Sequence, residues 1–395
     1  MKVFYVNRLD YNTADVFYYL SKLMKNKETI LFVAPDEKFE FHINNEHKIS
    51  ENEKLIQRIW NYDNYVMKIF RFIKKQKPTI IHFDFELRVF GSLKTALKFP
   101  LLLLLIKSTK TKVVVTLHTV FVFNDGSGWK IMKYSSIKIP EIILRILAKM
   151  FIKIICNLSD KIIVYNKSVK SGLIEYFRIE SNKIEVMNLA VTIDQNPINI
   201  EKKEKFSLKF QRKNIILCFG TISPRKGLEI AIKAMKEISK KFPDYVLVIA
   251  GISTSYNKPY ENSLHDLVKK LKLENNVFFV GYLDGDEIKI IFEMAEMVLY
   301  GYKPSSAGTM GLHYAIRYHK PVIVSKIDTF CDILEEDDAL FVEPDNEDEM
   351  IIAVSKVIHN SGLKRKLHDR MKNISEKYSW KKTAISHVEL YKKLV

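Results

Sequence analysis

Short apolar runs alternate along this chain with longer stretches in which apolar residues recur every three or four positions. The runs Lys2–Val6, Thr29–Val33, Thr79–Phe83, Lys112–Leu117 and Lys161–Tyr165 are continuous, as in strands buried on both faces. Ala14–Lys25 and Glu51–Lys74, between them, carry helical spacing. That rhythm predicts α/β units and a doubly wound parallel sheet. It pauses over 192–212, where Asn196-Pro197 leads into a polar, lysine-rich stretch that reads as a linker. A second series then runs through strands Ile215–Phe219, Tyr245–Ala250, Val277–Val280, Met297–Tyr300, Pro321–Val324 and Ala339–Val342. Between these lie helices Leu228–Phe242, Ser263–Leu271, Asp286–Ala295 and Thr309–Tyr318, and helical sequence follows from Asp345 to the last residue. The expected organisation is a domain over 1–195, a linker over 196–212, a second domain over 213–370, and a final helix over 371–395 packing back on the first domain. Two such domains suit a chain of 395 residues.

Composition narrows the class. With 47% apolar and 28% charged residues the chain is globular. Its three cysteines, Cys156, Cys218 and Cys331, follow no metal-ligand or disulfide spacing, which fits a reducing compartment. The first residues do not read as a signal peptide, and the longest apolar run, Pro100–Ile106, is too short to cross a bilayer. The expected location is cytoplasmic, with attachment to the inner face of a membrane as an option. The net charge of +17 is uneven: Arg88 to Lys153 holds twelve Lys/Arg against Asp125 and Glu141. Such a surface draws anions, whether phosphorylated substrates, lipid headgroups or nucleic acid, but no nucleic-acid recognition motif accompanies it. In Glu141–Ile155, Arg145, Lys149 and Lys153 recur every fourth position among apolar residues. With Leu93–Lys107 this fits either interfacial helices on an anionic membrane or core helices with lysines at the solvent edge.

Two strand-to-helix loops carry the chemistry. In Phe219-Gly220-Thr221-Ile222-Ser223-Pro224-Arg225-Lys226-Gly227, Gly220 permits a tight turn, and two cations precede a helix start whose N–H groups are free. That combination suits a diphosphate; the plainer reading is a Ser-Pro turn with solvated basic residues. In Pro304-Ser305-Ser306-Ala307-Gly308-Thr309-Met310-Gly311 the small residues let a ligand approach the backbone, or simply form a capped helix start. Asp284-Gly285-Asp286 could bind a metal, but its place before a helix favours an N-cap. Asp84-Phe85-Glu86 and Asn124–Gly128 could line or close an acceptor site, or be ordinary loops.

In order, Gly220…Lys226-Gly227, Val280-Gly281-Tyr282, Pro304–Met310 and Ala315…Lys320-Pro321-Val322-Ile323-Val324-Ser325 resemble the donor domain of the family 4 retaining glycosyltransferases. Ile80-Ile81-His82, Val113–His118, Ser159–Val164 and Lys183–Val186 give looser support in the first half. The resemblance implies two Rossmann-like domains facing a central cleft, the GT-B architecture. It implies transfer of a hexose from a nucleotide diphosphate sugar to a glycan or lipid-linked acceptor, with retention and without a metal cofactor. Lys226 would contact the diphosphate, and the backbone near Gly220, Thr221, Gly281 and Tyr282 would hold the donor and read its base. The segment Ser306, Ala307, Gly308, Thr309 and Met310 would face phosphate and sugar, and His118 would face the sugar from the first domain.

The sequence departs from the family pattern in three places. Thr221 stands where an arginine is usual, and Arg225 is the candidate to replace that charge. Ser306 and Tyr314 occupy the positions of two usual glutamates, with His313 beside Tyr314. A catalytically degenerate partner subunit therefore stays open, as does a nucleotide-sugar epimerase, although no acid/base carboxylates for the latter are evident.

Overall fold

A computed structural model describes residues 1–6, 20, 29–35, 56–60, 64–85, 93–117, 141–187, 190, 200–210, 212–304 and 310–395. The chain divides into two units: Met1–Ala190 together with Trp380–Val395, and Val191–Ser379.

The first unit holds seven parallel strands: β1 (Lys2–Val6), β2 (Thr29–Pro35), β3 (Ile56–Trp60), β4 (Ile80–Phe85), β5 (Lys112–Leu117), β6 (Lys161–Val164) and β7 (Ile184–Val186). Their order is β3-β2-β1-β4-β5-β6-β7. Successive side chains point to opposite faces, so apolar runs fill two cores. Phe4, Val6, Ile81, Phe83, Val113 and Val115 pack beneath helices Tyr65–Gln76, Phe99–Lys107 and Glu141–Leu158. Val3, Tyr5, Ile80, Val114 and Ile163 meet Trp380, Ala384, Val388 and Tyr391 of the last helix, Trp380–Leu394. The polar residues on that face are paired: His82 Nδ1 lies 2.6 Å from the Tyr391 hydroxyl, its Nε2 lies 2.7 Å from Thr116 Oγ1, and Tyr5 donates to Asp84 at 3.1 Å.

The second unit has six parallel strands: β8 (Asn214–Phe219), β9 (Tyr245–Ala250), β10 (Val277–Gly281), β11 (Ala295–Tyr300), β12 (Val322–Ser325) and β13 (Leu340–Val342). Their order, β10-β9-β8-β11-β12-β13, repeats the pattern of the first unit. One face packs on helices Gly285–Met294, Met310–Arg317 and Ser361–Lys377, the other on Leu228–Lys241, Lys258–Lys270 and Glu347–His359. In each unit the order reverses beside the first strand, between β1 and β4 and between β8 and β11. Crevices for ligands open at such switch points, outside the carboxyl ends of the strands.

Three expectations change. Glu51–Lys74 is not one helix: Ile56–Trp60 is a strand, and the helix is Tyr65–Gln76. The supposed linker contains helix Ile200–Lys209, and Phe210 after it is fully buried in the second unit beside partly buried Phe206. The return to the first unit comes at Trp380 rather than residue 371, because Leu367, Met371 and Ile374 bury themselves in the second unit.

Asp284 is a helix cap. It accepts from Glu287 N at 2.8 Å, while Glu287 accepts from Asp284 N at 2.9 Å. Lys202 lies 3.2 Å from Asp286. Asp284→Ala should therefore cost about 1 kcal/mol of stability, read in urea unfolding; an unchanged midpoint would remove the capping role.

Candidate active site

The site begins where β8 ends. Gly220, at φ +125°, donates to Ala250 O at 2.9 Å, and the chain then makes a single 3-10 turn, Pro224–Lys226. Gly227 follows at φ +57° and starts the helix Leu228–Lys241. Across the switch point, Lys303 N donates to Arg225 O at 2.9 Å, and a Cβ on Gly227 would sit 1.9 Å from Gly301 O. On the other side, Gly251 N donates to Gly281 O at 2.8 Å, and a Cβ on Gly251 would sit 2.0 Å from Gly220 O. Backbone contacts thus tie together the ends of β8, β9, β10 and β11, and only glycine permits two of those approaches.

Two cations sit in this framework. Lys226 is only 8% exposed; its amine bonds the Tyr302 hydroxyl and stands 4.0 Å from the ring centroid. Gly220 lies alongside, where a Cβ would come within 3.4 Å of Lys226 Nζ. Burial, and then the neighbouring Arg225 guanidinium, push the Lys226 amine down to about 6. Arg225 shares the same aromatic ring at 5.2 Å. Its Nη1 is buried and has no hydrogen-bond partner among the described residues. A buried guanidinium N–H without an acceptor is costly, so this geometry favours an anion that brings one. Lys303 differs: it pairs with Glu229 at 2.7 Å and lies 3.7 Å from Asp345. Glu229 also accepts from Tyr260. Among the described residues, no carboxylate pairs with Arg225 or Lys226.

The other expected site residues fall as follows. Thr221 is exposed in the loop after β8. Gly281, at φ +74°, ends β10 and leads to Tyr282, which is 75% exposed. Met310 starts helix Met310–Arg317. On that helix the Tyr314 ring is half-buried, 5.0 Å from Phe219 and 5.8 Å from Phe292, so it packs in an aromatic cluster. His118, Ser306, Ala307, Gly308, Thr309, Glu86 and the 124–128 loop lie outside the described residues. Among the described residues, no group of three or more His, Cys, Asp or Glu is placed to hold a metal ion. Sequence reasoning missed Tyr302, the ring under both cations. Its one available signal was its place just before Pro304 in a loop already assigned to the crevice.

Comparison with known proteins places this geometry in a family. The family model "Glycosyl transferases group 1" matches residues 199–378, and "Glycosyltransferase Family 4" matches residues 15–195. The chain is 27% identical over 243 residues to "Uncharacterized glycosyltransferase MJ1607" of Methanocaldococcus jannaschii, covering 59% of this chain and 60% of that protein. It is 26% identical over 219 residues to "O-antigen chain mannosyltransferase RfbU" of Salmonella typhimurium, covering 55% and 56%. The chain thus spans less than two thirds of the length of these relatives. Among solved structures, Anabaena Alr3699/HepE in complex with UDP superposes with a TM-score of 0.71 at 14% identity, over 100% of both chains. Sucrose-phosphate synthase of Thermosynechococcus elongatus gives 0.70 at 14% identity, over 100% of this chain and 99% of that one. With family matches over 15–195 and 199–378 and a shared two-domain fold, the chain is a family 4-like glycosyltransferase of the GT-B architecture.

Proposed function

We propose that the chain transfers a hexose from a nucleoside diphosphate sugar to a glycan or lipid-linked acceptor, with retention of anomeric configuration. The observation that carries this reading is the pair Arg225 and Lys226 at the β8–β11 switch point, with Arg225 Nη1 buried and unpartnered. Relatives support the substrate class: a solved neighbour holds UDP-glucose, and a curated relative is an O-antigen chain mannosyltransferase. In the reaction the bond between the anomeric carbon and the β-phosphate oxygen breaks. The acceptor oxygen bonds that carbon on the same face and passes its proton to an oxygen of the departing diphosphate. Charge then gathers on that diphosphate, and positioned cations and amide N–H groups lower the barrier by meeting it there. Arg225 and Lys226 supply the cations, and Tyr302 holds the lysine amine in place. Tyr282, mostly exposed at the end of β10, stacks on the base.

The test is direct. UDP, GDP or ADP at about a hundred times its Kd should raise the melting temperature by roughly 5 °C or more. The nucleotide that does so should be the one released from its hexose conjugate on adding acceptor. Tyr282→Ala should weaken that nucleotide about tenfold without changing the melting temperature of the free protein. Binding without release, for any donor, would instead identify a partner subunit that has kept the fold and lost the reaction.

A further inference from the structure

Two neighbouring helices of the first unit present an apolar surface that nothing in the donor site uses. In Glu141–Leu158, Ala148, Ile152, Ile155 and Cys156 face the core. On the other side, Ile142, Ile143, Ile146, Leu147, Met150 and Ile154 are all exposed, Ile142 by 68%. At 100° per residue these six side chains span an arc of about 140°. The same division holds in Phe99–Lys107: Leu102, Leu103 and Ile106 are buried, while Leu101 and Leu104 are more than half exposed, as is Leu97 just before the helix. A groove of about 340 Å³, lined by Pro100, Leu101, Leu104, Ile154, Asn157 and Leu158, joins the two faces. The reading of core helices with lysines toward solvent accounts for the buried faces but not for the apolar residues on the solvent-facing arc. A contiguous apolar patch of this kind marks a binding surface rather than scattered exposure.

We propose that this surface seats the protein on an anionic lipid bilayer at interfacial depth. Cations border the patch. Lys153 is exposed beside the arc and Lys149 adjoins it, over the Tyr176 ring; Lys94, Lys98 and Lys110 are exposed around the shorter helix, where Lys107 lies 3.7 Å from Asp160. That border complements phosphate headgroups, while the apolar arc enters the boundary between headgroups and acyl chains. Among the described residues, no helix is long and apolar enough to cross a membrane. The 18-residue helix, about 27 Å long, therefore lies in the membrane plane. A second copy of the chain fits less well. A twofold interface sets the same patch against itself, so the cationic borders would face each other in a protein already at +17. The inference does not depend on the transfer reaction.

The full chain should sediment with vesicles of phosphatidylcholine containing phosphatidylglycerol, much less with phosphatidylcholine alone, and less as salt rises. Ile146→Glu with Met150→Glu should reduce binding at least about tenfold, and Lys94→Gln or Lys153→Gln about fivefold each. All four side chains are exposed, so melting temperature and any nucleotide-induced shift should stay at wild-type values. Vesicle binding unaffected by these variants, or equal on neutral and anionic vesicles, would overturn the proposal. So would a dimer in sedimentation velocity that Ile146→Glu with Met150→Glu dissolves, in a protein that ignores vesicles.

Discussion

Lys226→Ala should lower turnover with the nucleoside diphosphate sugar about 10²–10³-fold while leaving the protein folded. The amine is the buried basic group of the switch point, held between Gly220 and Tyr302, and no described carboxylate pairs with it. A diphosphate beside it favours the protonated form, so binding draws a proton onto an amine that burial holds near 6. Nucleotide affinity should therefore rise as pH falls from about 8 toward 6, by up to about tenfold per pH unit for one linked proton. Stability has the opposite slope. With the folded amine depressed to about 6 from 10.5, the unfolded chain binds the extra proton between those values, and stability rises with pH across that window. Isothermal titration and thermal melts across pH check both slopes, and both should be lost in Lys226→Ala. Wild-type turnover in that variant would remove Lys226 from the mechanism.

The largest loss of stability should come from Gly227→Ala, about 4 kcal/mol or more. The new methyl would sit 1.9 Å from Gly301 O and 3.1 Å from its carbonyl carbon, in a residue already at φ +57°. Relief means pulling the β8 and β11 loops apart, and with them the Lys303-to-Arg225 backbone bond. Gly251→Ala meets the same obstacle against Gly220 O at 2.0 Å. Gly281 is the control: it is also left-handed, at φ +74°, but a Cβ there meets nothing within 4 Å. Gly281→Ala should cost only the backbone penalty, about 1 kcal/mol. Denaturant midpoints rank the three, and equal midpoints for Gly227→Ala and Gly281→Ala would contradict the stitched-loop geometry.

Continuous apolar runs made most strands legible, to the residue for Lys2–Val6, Lys112–Leu117 and Tyr245–Ala250. The edge strand β3 escaped because Gln57 and Arg58 interrupt Ile56, Ile59 and Trp60, so the segment merged with the helical spacing after it. Ile200–Lys209 escaped because a charged surface helix with one apolar flank resembles a linker. In the candidate site, Gly220, Arg225, Lys226 and Gly227 could be read because they adjoin one another after a strand. Tyr302, Gly251 and Gly301 could not: their roles arise only when β9 and β11 are laid on either side of β8. The lipid-facing arc was half legible, since periodicity finds a stripe but does not say which side is covered.

The helix Trp380–Leu394 gives the molecule an unusual order of assembly. It covers the β1, β4 and β5 face of the first unit, yet it is synthesised after everything else in either unit. The contiguous segment Val191–Ser379 has all its parts while the earlier half still waits for Tyr391 to reach His82. On the ribosome the later half can mature first, leaving Val3, Tyr5 and Ile80 uncovered until that helix has emerged and docked.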